Sequence, residues 1–481
     1  MKTLNIKFTS SKYVYKLQYP VRVHRTFIRV AIALVLAMYV LSFASFNEDS
    51  CNRPEITMLR YDEDYSFLRN PECRSEIWDP LKYIVLNKNL PVYLTLGINI
   101  RERFEFFNTF DWGLKPGAGY LLQRIMPLVD MHFGTHFQAF LQLTSNIVWG
   151  RDPRPLDRDA LDILQAFGFF SFGPFAIRIG RQEIQYESSR LVSIREGPNV
   201  RLAFGGLRTI LHIKKWQVDG FALVPIQVMP GIFDDYAPKG QWFWGIYGLN
   251  PILGNQIGLD AYYLGRYRQT AAFEQGTERE LRHTAGMRIY GKPGSVDYNT
   301  EATIQAGSFG SGAIFAWMFA SDVGYTFNTL PARPRLGAQV NLISGDLTPI
   351  DADLQTFNPL FPRGSYFSEA NLIGPLYLID LHPELELKPF KKVKLKADWD
   401  FFWRQSLGDG LYLPSTLLQV PGAGNPARYI GSQGAVLIQW EIMRHTSLSA
   451  TYSHFFAGPF LRLAQRSHDV DFLGLWISFA F

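Results

Sequence analysis

The sequence predicts an all-β protein, a transmembrane antiparallel β-barrel of about 18 strands with short periplasmic turns and long extracellular loops. Three observations predict it. The chain ends on DFLGLWISFAF (471–481), where Leu473, Leu475, Ile477, Phe479 and Phe481 form one apolar column and Gly474, Trp476, Ser478 and Ala480 a smaller one. That period of two marks a strand with two different surroundings. A chain end tolerates so apolar a strand when closure pairs it with the first strand and lipid covers its outer column. Second, segments of this kind recur from residue 92 to the end. Third, the connections between them alternate in length, short then long, as in outer-membrane barrels. The last strand of a soluble sandwich accounts for the first observation only.

Composition agrees. Charged residues are 19% and aromatics 15% of the 481 residues. Mean hydropathy is near zero, which excludes a bundle of apolar membrane helices and suits strands whose lipid-facing and water-facing residues cancel.

The amino terminus reads as a signal peptide over 1–46, implying export in a Gram-negative cell. Lys2, Lys7, Lys12, Lys16, Arg22, Arg25 and Arg29 precede the uncharged stretch 30–46, and Ser42, Ala44 and Ser45 offer small residues for cleavage. A signal anchor is the competing reading of a stretch this long. Taking the leader's seven from the chain's 48 basic residues leaves 41 against 43 acidic, so nucleic acid is not an implied partner.

Residues 47–90 are polar and irregular, with Pro54, Pro71 and Pro80, and are expected to form a periplasmic extension. Both cysteines of the chain lie here, and Cys51 and Cys73 are disulfide candidates in an oxidising compartment.

The barrel is assigned to 91–481. In its first strand Val92, Leu94, Leu96, Ile98 and Ile100 face lipid, while Tyr93, Thr95, Asn99, Arg101, Arg103 and Glu105 face the lumen. Glu102 interrupts the apolar column, which places it beyond the hydrocarbon. Strands follow near 120–133, 136–148, 162–171, 175–186, 206–214, 216–229, 242–252, 256–268, 280–290, 296–306, 314–327, 335–343, 377–388, 393–404, 431–442, 446–455 and 471–481. Long outer loops are expected at 107–119, 149–161, 187–205, 269–279, 344–376, 405–430 and 456–470, with GSFGSG (307–312) a short exception.

Several stretches resemble the alginate-export family of outer-membrane porins. They include YLLQRIMPLVDMHFG (120–134), FLQLTSNIVWGRDPRPLDRDALDILQAF (140–167) and IRIGRQEIQYESSRLVSIREGPNVRLAFGGLR (177–208). LQTFNPLFPRGSYF (354–367), DWDFFWRQSLGDGLY (398–412) and the segment 452–481 complete the set, in order, over most of 91–481. The resemblance implies an eighteen-stranded barrel with an electropositive lumen that passes an anionic polysaccharide.

The residues themselves agree in kind. The non-apolar strand faces collect Arg101, Arg103, Arg124, Arg178, Arg208, Arg266, Arg268, Arg282, Arg288, Lys394, Lys396 and Arg404. Fewer acids share those faces: Glu105, Asp130, Asp260, Asp297, Glu301, Asp398 and Asp400. A basic excess in a low-dielectric wall attracts anions, and the guanidinium fork suits carboxylates. The competing reading is that arginine–carboxylate pairs brace the wall. Arg181, Arg190, Arg195 and Arg201 lie at the external mouth or fold into it, forming a constriction or binding lipopolysaccharide phosphates.

The 344–376 loop carries Asp346, Asp351 and Asp353 but lacks calcium-loop spacing, so a solvated acidic loop that folds inward is expected. No metal and no cofactor is expected. HExxH, P-loop, GxSxG and CxxC motifs are missing, Ala306-Gly307-Ser308-Phe309-Gly310 failing GxSxG at its first position. Asp398 and Asp400 have the spacing of a hydrolytic carboxylate pair, but Lys396 and Arg404 on the same face are expected to keep both ionised. The expectation is a non-enzymatic outer-membrane channel for an anionic poly- or oligosaccharide. A barrel enzyme, a porin for small organic acids and a plugged structural barrel are the alternatives. Expected partners are the cargo, outer-membrane lipid and lipopolysaccharide, and the barrel-assembly machinery through Phe481; the chain is expected to be a monomer.

Overall fold

A computed structural model describes residues 51–481 except Lys88, Pro155, Glu187 and Asn255. The signal-peptide expectation over 1–46 lies outside the described residues. Among the described residues no helix is long and apolar enough to cross a membrane.

The strands are β1 Ile84–Asn87, β2 Val92–Phe110, β3 Lys115–Phe133, β4 Phe137–Trp149, β5 Asp159–Phe172, β6 Phe175–Gln182 and β7 Phe204–Ile213. Next come β8 Trp216–Pro225, β9 Gln241–Asn250, β10 Gly258–Phe273, β11 Gly276–Gly291, β12 Val296–Phe309, β13 Gly312–Thr326 and β14 Arg335–Ile343. The last are β15 Leu378–Phe390, β16 Val393–Arg404, β17 Leu411–Tyr412, β18 Leu418–Val420, β19 Tyr429–Met443, β20 Thr446–Ala457 and β21 Val470–Ala480. All but β17 and β18 belong to one antiparallel sheet of 19 strands. Within it β1 is a short addition to β2, and the other eighteen form a closed barrel.

Closure is made by β21 against β2, from Asn99↔Ala480 to Phe107↔Phe472. The backbone of Phe481 continues the ladder by exchanging hydrogen bonds with Ile98. A closed ladder leaves no backbone group facing lipid unpaired, which is why an apolar last strand is stable here. Side-chain burial is inverted relative to a soluble barrel. Ile179, Ile246, Ile304, Phe315, Leu473 and Leu475 are exposed on the outer face, whereas Arg282, Glu280 and Asp260 inside are fully buried.

The connections correct two sequence expectations. Residues 107–119 and 269–279 are not loops: β2 and β3 continue to a turn at 111–114, and β10 and β11 meet at 274–275. These hairpins extend past the point where lipid imposes alternation, so the pattern fades before the strands do. Glu102 is corrected as well. It lies in the middle of β2, buried, and accepts a hydrogen bond from the Gln123 side chain at 2.5 Å. The connections at the opposite end are short, such as 173–174 and 214–215, whereas 183–203, 344–377 and 405–428 are long.

The lumen is not simply water-filled. Ile184, Leu191, Val192, Leu354, Phe357 and Phe361 of two long connections pack with Phe204, Leu223, Phe243 and Phe402 of the wall in one buried apolar cluster. These inward wall positions lie toward the end that carries the loops, and they are apolar because they receive them.

The extension enters the barrel from the other end. Cys51 and Cys73 form a disulfide, with Cα atoms 5.7 Å apart. Arg53 reaches Asp79 at 2.6 and 2.9 Å. Tyr61 meets Phe140 and Phe167 edge-on at 5.9 and 5.3 Å. Its hydroxyl donates to the Glu183 carbonyl at 3.0 Å. At the seam Trp78 stacks on Phe481 at 4.0 Å, and Arg60 donates to the Phe481 main-chain oxygen at 2.8 Å.

Candidate functional site

Register places arginines opposite one another. Arg101 pairs with Arg124, Arg178 with Arg208, and Arg266 with Arg282, each on adjacent strands. Like charges directly across a ladder repel, so each pair requires anions or polarisable partners beside it.

For Arg101 and Arg124 that anion is Glu196, on the connection 183–203. Arg101 Nη1 lies 3.4 Å from Glu196 Oε1 and donates to the Glu196 carbonyl at 2.8 Å. Arg124 pairs with the same oxygen. Arg201 donates Nε–H to Glu196 Oε2 at 2.5 Å. Three guanidinium groups thus converge on one carboxylate and hold it down to about 2, although burial alone pushes the other way. Among the described residues Arg124 Nε and Nη1 have no hydrogen-bond acceptor. A cavity of about 80 Å³ lies among Asn99, Arg101, Arg124, Glu196, Arg201 and Ser478.

Glu196 is positioned by the way two loops fold together. Ser193 N–H donates to the Phe361 carbonyl at 2.9 Å, Phe361 N–H to Leu191 at 2.8 Å and Arg363 N–H to Ser189 at 3.0 Å. Ser189, Arg195 and Leu360 adopt positive φ (52°, 56° and 58°). Non-glycine residues hold that strained conformation only where packing over-determines it. The anchor is Phe361, which meets Phe204 and Phe243 edge-on and lies under Arg266 at 4.4 Å. Arg195 is half-buried and Arg363 is exposed on these loops.

The remaining sequence-predicted residues face the interior but engage partners. Arg103 donates to Glu105 at 2.6 Å and to Glu369 at 2.8 Å, and stacks over Trp476 at 4.6 Å. Arg178 lies over Tyr61 at 3.9 Å, and Arg208 pairs with Asp219 at 2.5 Å. Arg268 and Arg282 share Glu280 at 2.5 and 2.7 Å, and Arg288 pairs with Asp260 at 2.5 Å. Asp130 accepts from Gln138 and contacts His132, both at 3.0 Å. Arg181 pairs with Asp162 at 2.9 Å, and Arg190 with Glu301 at 2.9 Å.

Two assignments change. Arg404 does not sit beside Asp400; it donates to the carbonyls of Asp409, Gly422, Asn425 and Ala427 and so anchors the 405–428 connection. Asp400 instead faces His382 at 2.7 Å, while Asp398 lies 3.5 Å from Lys396. The 344–376 loop is solvated only in part: Asp351 and Asp353 are exposed, but Asp346 is buried and its N–H donates to Asp409, while Asp353 accepts from the Ala313 amide.

Sequence reasoning missed Glu183, Glu196, Glu369, His382 and Tyr61. The density of charge in 181–201 was the available signal, because a solvated loop has no need of paired glutamates and arginines beside Ile184, Val192 and Ile194.

The sequence profile described as alginate export matches residues 92–473. No curated protein sequence matches the chain. Among solved structures, Pseudomonas aeruginosa OccK9 (OpdG) superposes with a TM-score of 0.57 at 9% identity, covering 81% of this chain and 98% of that one. Pseudomonas aeruginosa OccK2 (OpdF) in complex with glucuronate gives 0.53 at 10% identity, over 81% and 98%. Pseudomonas aeruginosa OpdK with vanillate gives 0.55 at 8% identity, over 80% and 98%. These likenesses concern the fold. A profile match over most of the length, on a closed eighteen-stranded barrel with lipid-facing apolar columns, identifies the chain as a member of the alginate-export family, an outer-membrane porin.

Proposed function

We propose that this porin passes an anionic poly- or oligosaccharide, and that its arginines receive the cargo's carboxylates in succession. The observation that carries this reading is the convergence of Arg101, Arg124 and Arg201 on Glu196. A uronate unit carries the same chemical group as Glu196. A loop carboxylate held by three wall and loop arginines therefore acts as a tethered stand-in for cargo, and displacement of the loop transfers those arginines to the saccharide. Displacement of the loop would release the strained backbone at Ser189 and Arg195 that its packing now holds. Neighbouring acids keep each arginine's hold on cargo weak, as conduction requires.

A second reading is a porin for small organic acids. The observation in its favour is the filled lumen, where the extension meets Glu183 through Tyr61 and Arg201 reaches the Met58 carbonyl at 3.2 Å. Carboxylates are also the chemistry of the glucuronate and vanillate held by the two structural neighbours.

Planar-bilayer recordings in a salt gradient test the charge argument; a cation-selective reversal potential sinks both readings. Block by oligouronates at lower concentration than by the monomer favours the polymer, and equal block favours the small acid. We further propose that outer-membrane lipid and lipopolysaccharide cover the apolar band, that the assembly machinery reads the segment ending in Phe481, and that one chain forms one channel.

A further inference from the structure

Asp159 is fully buried at the start of β5, and neither of its carboxylate oxygens has a hydrogen-bond partner among the described residues. A carboxylate taken from water without compensation costs several kcal/mol, so a proton or a cation must balance it. Its surroundings add further negative charge, which a divalent cation balances more fully than a single proton does. Carboxylate oxygens of Asp159, Asp162 and Asp235 all lie within 4.8 Å of one another. Asp234 adds a fourth negative charge acting on Asp159, and Arg181 is the counter-charge.

The other oxygens are held in place. Asp162 Oδ1 accepts from Arg181 Nη1 at 2.9 Å and from the Ile163 amide at 2.6 Å. Asp162 Oδ2 accepts from the Asp235 amide at 3.0 Å. Asp235 Oδ1 accepts from the Met229 amide at 2.7 Å, leaving Oδ2 with Arg181 Nη1 at 3.9 Å. Two oxygens that share one Ca²⁺ at about 2.3–2.6 Å lie at most about 5 Å apart. An all-oxygen, carboxylate-rich set is the chemistry of a hard cation and not of zinc or copper.

We propose that Asp159, Asp162 and Asp235 bind one calcium ion at the extracellular rim. The ion ties the 226–240 connection to β5, where the Ala160 amide already donates to the Gly231 carbonyl at 3.0 Å and Phe233 N–H to Leu161 at 2.8 Å. It fixes the rim around Arg181 and is independent of the cargo.

The test uses the full barrel in detergent, stripped with EDTA and titrated with CaCl₂ by calorimetry, with trypsin cleavage after the exposed Lys239 as a second readout. One Ca²⁺ per chain is expected, with a dissociation constant of about 10⁻³ M or tighter. Saturating Ca²⁺ slows cleavage about tenfold by suppressing local opening. D159N and D235N each lose binding and protection while keeping the heat-modifiable gel mobility of a folded barrel. Absence of stoichiometric binding overturns the proposal. So does D159N that is as resistant without calcium as the parent is with it, because a proton is then the native partner. Equal protection by sodium at matched ionic strength also overturns it.

Discussion

Arg201 donates its Nε–H to Glu196 Oε2 at 2.5 Å, within the same infolded loop, while Arg101 and Arg124 reach that carboxylate from the wall. Substituting Glu196→Gln removes the charge and keeps the shape. The loop then loses about 1.5–3 kcal/mol of anchoring, the usual worth of hydrogen bonds to a charged group. Single-channel recording should show stronger anion selectivity and tighter block by a uronate than in the parent. Unchanged selectivity would mean that these arginines do not meet the permeating ion.

The same carboxylate sets an acid limit. Its folded value, held at about 2 by the arginines, lies below the ordinary glutamate value. A depressed acid contributes stability that is fully present above the unfolded value near 4.5 and is lost as pH falls through about 2. Conductance and loop protection should therefore hold from neutral pH to about pH 4 and change below it. E196Q should be flat over that window.

The outer connections respond in the opposite sense. Asp409 accepts from Thr356 Oγ1 at 2.5 Å and from the Tyr412 hydroxyl and the Asp346 amide at 2.9 Å. Burial pushes Asp409 up to about 6 and, with added repulsion from Asp409, Asp346 up to about 7. A raised acid contributes stability fully present below its unfolded value near 3.8 and lost as pH rises through the folded one. Amide exchange in 346–358, corrected for intrinsic rate, should quicken between about pH 4 and about pH 7. D346N should flatten that rise.

Tyr61 joins the extension to the wall and to the loop at once. Tyr61→Ala deletes a buried ring between Phe140, Phe167 and Arg178 together with the hydrogen bond to Glu183. A loss of about 3–5 kcal/mol is ordinary for a buried aromatic. It should appear as faster proteolysis of residues 51–83 and higher conductance, with no change in the heat-modifiable mobility of the barrel.

The Cys51–Cys73 bond closes a segment of sequence separation 22, for which chain entropy predicts about 3 kcal/mol. Cys51→Ser, or reduction, should loosen the extension alone. A fall in barrel thermal stability equal to that in the extension would contradict this, because the barrel ladder does not run through either cysteine.

The strand set was legible because lipid on one side and polar groups on the other impose a strict period of two. Val92 to Ile100 and Leu473 to Ile477 obey it without help from distant contacts. Legibility failed where that constraint ends. The hairpins at 111–114 and 274–275 carry no such alternation, and their residues answer to distant loops: Asp111 accepts from Gln419, and Glu274 from the Gly422 and Ala423 amides. Inward arginines were legible as a set, since Arg101, Arg124, Arg178 and Arg282 alternate with apolar residues. Their partners were not, because Glu196 and Glu369 reach them from loops distant in sequence.

From the sequence alone follow the barrel, its strand number, the faces of its strands and the side on which each connection lies. All of these rest on local alternation under a solvent boundary. Only the tertiary structure decided that 183–203 and 344–377 pair with each other inside the lumen, that the extension meets them from below, and that Arg404 holds a loop. Those outcomes rest on long-range packing of Phe361, Tyr61 and their neighbours, and on buried charge seeking its nearest counter-charge, neither of which has a period to read.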